Sequence, residues 1–167
     1  MSMSSADRLR LRFELLDTDG SSVLTRADFV LYTSRVCRVL GVADGSPKAE
    51  ALAAACGRYW ENLAASADRD HDGRVTFEEY AALSHDPSWF AAHGEAYAVA
   101  IAAVGDLDDD GLIERDDFLG LHSAAGFPLA YAARLFGDLD RGVTGRVSTA
   151  DFAAFVRDYY TSAADLL

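Results

Sequence analysis

The sequence predicts an all-α fold: two pairs of helix–loop–helix units packed into one compact globule, with short two-stranded antiparallel links between paired loops. Three observations carry that reading. A twelve-residue acidic pattern recurs four times, starting at Asp17, Asp68, Asp106 and Asp140, so the starts lie 51, 38 and 34 residues apart. Each copy closes on an acid followed by an aromatic, in Asp28-Phe29, Glu79-Tyr80, Asp117-Phe118 and Asp151-Phe152, which opens an exit helix. Between copies the chain is apolar and alanine-rich, as in residues 51–55, which favours helix.

Residues 1–16 run from polar to amphipathic and predict the first entry helix. In the loop that follows, Asp17, Asp19, Ser21, Val23, Thr25 and Asp28 fall at positions 1, 3, 5, 7, 9 and 12, with Ser22 at the bend. A serine at positive φ costs about 1 kcal/mol, which weakens this loop. Residues 41–47 read as a turn and 48–67 as a long helix, an insertion that explains the wide first gap. The second loop has Asp68, Asp70, Asp72, Arg74, Thr76 and Glu79 at the same six positions, and Gly73 at the bend. This is the EF-hand calcium pattern: alternating carboxylates, one backbone carbonyl at position 7 and two oxygens from position 12 satisfy a hard cation that takes six to eight oxygens.

Asp86-Pro87 punctuates the middle of the chain, and the segment after it stays apolar through Trp89, Phe90, Tyr97, Val99 and Ile101. No flexible spacer separates the halves, assigned as residues 1–85 (hands 1 and 2) and 86–167 (hands 3 and 4). The third loop carries Asp106, Asp108, Asp110, Leu112, Glu114 and Asp117, with Gly111 at its bend; Pro128 lies near the next helix start. The fourth fits only if it starts at Asp140, because a start at Asp138 puts Val143 at the bend and Thr149 at the end. From Asp140 it offers Thr144, Arg146, Ser148 and Asp151 around Gly145, while Gly142 leaves position 3 without a ligand. One such unit cannot bury its apolar face alone, so hands pair through position 8: Leu24 opposite Val75, and Ile113 opposite Val147.

Acids at ligand positions number three, four, five and two in loop order, so hands 1 to 3 are expected to work and the fourth to be weak or empty. Asp closes loops 1, 3 and 4; its shorter side chain contracts the cage and admits magnesium, whereas Glu79 favours calcium. Phe13, Phe29, Tyr32, Tyr59, Trp60, Tyr80, Phe118, Tyr131, Phe136, Phe152 and Phe155 are expected in the core.

With a net charge of −12, binding to nucleic acid or to an anionic membrane surface is disfavoured. There is no apolar signal core, no stretch long enough to span a bilayer, and Ser2 after Met1 does not match a myristoylation motif. Cys37 and Cys56, both in apolar helical contexts, predict free buried thiols and a cytoplasmic location. His71 holds a non-ligand loop position, and His85, His93 and His122 lack zinc or catalytic spacing, so no enzyme is expected.

The four placed loops resemble the sarcoplasmic calcium-binding protein and calerythrin group over residues 6–160, through the long first gap, the tight later spacing and one degenerate hand; the alanine-rich composition suggests a bacterial member. The resemblance implies a compact monomeric globule and an intracellular calcium buffer; Ser22 departs from the pattern. The alternative is a calcium-dependent regulator with an unknown protein partner. Regulators line their exposed groove with methionines, and the only methionines here are Met1 and Met3. Calcium-triggered photoproteins share the globule, with an internal chromophore that Trp60, Trp89 and His93 would line, but their second hand does not bind.

Overall fold

Side-chain caps set several of the helix starts in a computed structural model that describes residues 4–84 and 86–161. Ser4 starts α1 (Ser5–Leu16): its Oγ accepts from the Asp7 amide at 3.1 Å, and Asp7 accepts from the Ser4 amide. Helix α2 (Arg26–Leu40) stops at Gly41, which takes φ 69. Pro47 occupies the first turn of α3 (Pro47–Ala67), and Ser46 accepts from the Ala49 amide at 3.3 Å. Thr76 caps α4 (Phe77–Leu83) and Asp86 caps α5 (Pro87–Gly105). Strand β1 (Leu112–Glu114), α6 (Arg115–Ala124), α7 (Leu129–Leu139), β2 (Arg146–Ser148) and α8 (Thr149–Thr161) complete the order. Met1, Ser2, Met3 and His85, the last at the expected boundary between halves, lie outside the described residues.

Both expected loop pairings form. Leu24 and Val75 exchange backbone hydrogen bonds of 2.8 and 2.9 Å as a single antiparallel bridge. Ile113 faces Val147 within a three-residue ladder that Thr149 extends by donating to the Gly111 carbonyl at 2.9 Å. All four apolar side chains are buried.

The pairs do not bury separate cores. Helix α5 packs on α3 and α8, and α2 packs on α6. Tyr59 of α3 stacks on Tyr97 of α5 with centroids 4.4 Å apart, and Phe29 of α2 lies 5.8 Å from Trp60. Of the eleven aromatics expected inside, Tyr131 and Phe155 are partly buried and the rest are buried. Gly105 marks a tight crossing, since a Cβ there would stand 2.6 Å from Leu121 Cδ1. Cys37 and Cys56 are free and buried. No described helix is long and apolar enough to cross a membrane.

Trp60 and Trp89 are buried in the core, and His93 packs against Trp89. Trp89 donates from Nε1 to Ser66 Oγ at 2.8 Å and packs on His93 and Tyr59. One partly open recess is lined by residues including Leu16, Asp28, Tyr97, His122 and Tyr159, and holds about 60 Å³. Ligand pockets usually span roughly 300–1,000 Å³.

His122 bonds the Phe118 carbonyl through Nδ1 at 2.9 Å and stacks on that ring. Burial lowers its pKa from the ordinary 6.5. The unfolded chain therefore takes up this proton first, so its stabilising contribution is complete above pH 6.5 and is lost as pH falls below it. In chelator, the urea midpoint should fall from pH 7 to pH 5, and His122→Phe should flatten that slope; an unchanged slope would contradict the assignment.

Candidate metal centre

Each loop begins where a helix ends: Asp17, Asp68, Asp106 and Asp140 are the C-caps of α1, α3, α5 and α7. Every one of these carboxylates accepts two backbone amides, from positions 5 and 6. Asp17 takes Ser21 and Ser22 at 2.9 and 2.8 Å, and Asp68 takes Asp72 and Gly73 at 3.2 and 3.0 Å. Asp106 takes Asp110 and Gly111 at 3.1 and 2.8 Å, and Asp140 takes Thr144 and Gly145, both at 2.8 Å. The fourth loop thus has the geometry of the others when numbered from Asp140.

Positive φ occurs twice per loop. Position 6 holds Ser22 (69°), Gly73 (81°), Gly111 (83°) and Gly145 (79°). Position 4 holds Gly20 (71°), His71 (57°), Asp109 (58°) and Val143 (52°). The motif marks only the bend at position 6, although Gly20 signals the one at position 4. Valine is branched at Cβ, so this conformation costs roughly 1–3 kcal/mol at Val143, which is 89% exposed.

Carboxylate oxygens converge in three loops. Asp17, Asp19 and Asp28 form one group, Asp68, Asp70 and Glu79 a second, and Asp106, Asp108 and Asp110 a third, with oxygens within 4.8 Å of one another. Among the described residues the fourth loop forms no such group. Three converging carboxylates suit a hard divalent cation. Asp72, Asp117 and Glu114 stand outside these groups; Asp72 accepts from the Arg74 amide at 2.8 Å, and Glu114 pairs with Arg146 at 3.0 Å.

The closing residue also caps its helix. Glu79 accepts from the Arg69 and Thr76 amides at 3.1 and 2.9 Å, which draws its pKa down, the Thr76 bond acting most. Asp28 accepts from Asp19 and Thr25 at 3.1 and 2.8 Å, yet its pKa is raised because it is fully buried. Burial and the neighbouring Asp110 carboxylate raise Asp108 as well.

Position 5 separates the loops further. Ser21 donates to the Val23 carbonyl at 3.0 Å, and the Thr144 hydroxyl lies 3.0 Å from the Asp140 carboxylate and 3.1 Å from the Arg146 carbonyl, one of which takes its proton. In loops 1 and 4 two candidate ligands therefore satisfy each other, and a cation must compete with that bond. Asp72 and Asp110 hold this position in loops 2 and 3 with no hydroxyl to turn in.

A family model described as EF hand matches residues 65–84. Calerythrin of Saccharopolyspora erythraea is 27% identical over 97% of this chain and 95% of its own length. The structure of a Streptomyces coelicolor calcium-binding protein superposes with a TM-score of 0.82 at 30% identity, covering 95% of this chain and 98% of that one. An amphioxus sarcoplasmic calcium-binding protein shares the fold at a TM-score of 0.72 and 17% identity, over 96% and 91% of the two chains.

Proposed function

This chain belongs to the EF-hand calcium-binding proteins, and on that premise we propose that it is an intracellular calcium buffer with working loops 1, 2 and 3. The ligands are Asp17, Asp19, Ser21, Val23, Thr25 and Asp28 in the first loop, and Asp68, Asp70, Asp72, Arg74, Thr76 and Glu79 in the second. In the third they are Asp106, Asp108, Asp110, Leu112, Glu114 and Asp117. Position 7 of each contributes its backbone carbonyl. Magnesium enters the Asp-closed loops at rest. Residues 1–85 and 86–167 act as the two EF-hand pairs of one cytoplasmic monomer without catalytic activity.

The observation that carries the buffer reading is the shared core. With α3 against α5 and α2 against α6, opening either pair to present a groove would expose aromatic surface that both halves bury. A hydrophobic dye titrated with calcium tests this: fluorescence that stays flat through saturation supports the buffer, and strong uptake overturns it.

One observation favours a second reading, a calcium-dependent regulator that binds a partner protein. The Streptomyces coelicolor relative is described as a basis for prokaryotic calcium-mediated regulation. Dye uptake would favour this reading.

The fourth loop, with Asp140, Thr144, Arg146, Ser148 and Asp151 and nothing at position 3, binds weakly. Gly142→Asp supplies the missing carboxylate; its Cβ would stand 3.3 Å from Thr144 Cγ2, so that methyl must yield slightly. Calorimetry should show a tighter additional site. No gain would place the fault in the backbone.

A further inference from the structure

The chain holds one lysine, Lys48, and its ammonium reaches across the fold to the third loop. It donates to the Asp106 carbonyl, to the Ala103 carbonyl at 3.4 Å, and to the Asp109 carboxylate. These bonds cap the C-terminal end of α5, where carbonyls carry partial negative charge. The turn before Lys48 lies against the same place: Val42, Ser46 and Pro47 line one recess with Leu107 and Asp109. The insertion that widens the first gap is therefore docked on loop 3, at positions 2 and 4, which are not ligand positions.

We propose that Lys48 is an affinity-determining residue of the third calcium site and links that site to the N-terminal pair. The assignment rests on loop 3 binding calcium. The ammonium sits beside the backbone of loop position 1, so it repels a divalent ion entering the loop. At a separation of roughly 8 Å in a water-like dielectric, screened by dilute salt, that repulsion weakens binding about two- to fivefold. Because the same ammonium holds the start of α3, loading loop 3 also displaces residues 46–49.

The test uses the full chain and amide NMR during calcium titration. The Gly111 amide donates to Asp106 and reports loop 3; Gly73 donates to Asp68 and reports loop 2. Lys48→Met keeps most of the aliphatic stem and removes the charge. It should move the Gly111 midpoint to about two- to fivefold lower calcium, leave Gly73 unchanged and abolish the response of residues 46–49. The Gly111 shift should shrink in roughly 1 M KCl. Lys48→Arg, which keeps the charge, should restore the wild-type midpoint. An unmoved Gly111 midpoint, or one at higher calcium, overturns the role of Lys48 alone. A wild-type Gly111 that ignores calcium overturns the calcium reading of loop 3 and this assignment with it.

Discussion

Glu79→Gln should lower the calcium affinity of the second loop by on the order of 10- to 100-fold, the scale on which losing one metal-supporting contact is felt. Glu79 has two tasks that the substitution separates. As a cap it accepts from the Thr76 amide at 2.9 Å, and the glutamine carbonyl can continue that bond. As the proposed ligand it would bring a second oxygen and the negative charge, and glutamine loses both. The metal-free fold should therefore keep its circular dichroism while loop 2 weakens and Gly111 keeps its wild-type midpoint. Calorimetry with unaltered stoichiometry and affinity would refute the ranking of the loops.

Phe118→Ala should destabilise the protein by about 3–5 kcal/mol, the range for truncating a buried phenylalanine. Phe118 is fully buried on α6, with ring centroids 5.3 Å from Phe136, 5.2 Å from Phe152 and 4.3 Å from His122. Three helices meet on that ring, so the void left by alanine cannot close through one side chain moving. Urea unfolding at saturating calcium measures the loss. Val143→Ala, at an exposed site, is the control and should not destabilise. A loss at Phe118 below about 1 kcal/mol would mean that the cluster repacks.

The loops were legible because an EF-hand is written locally. Twelve consecutive residues contain the turn glycine, the alternating acids and the closing acid, and the acid–aromatic pair settles the register even where a ligand is missing, as at Gly142. Pairing was legible for a related reason: position 8 is apolar in every loop, and strands so short can match in only one way. The second bend was harder to see. Its position 4 holds glycine, histidine, aspartate or valine; histidine and aspartate are only enriched at positive φ, and valine is disfavoured there. The turned-in hydroxyls of Ser21 and Thr144 were also hidden, since a motif names a candidate ligand without saying which neighbour its hydroxyl bonds.

By itself, then, the sequence determined the EF-hand pattern, the four loops, their partners and most of the aromatics that go inside, since each depends on spacing within a few tens of residues. Tertiary structure alone decided that both pairs share one core and that the insertion before α3 rests on the third loop. Lys48 and Asp109 are 61 positions apart, and no periodicity relates them. Such contacts are chosen by how whole helices pack, where shape and burial across many side chains outweigh the preference of any single residue.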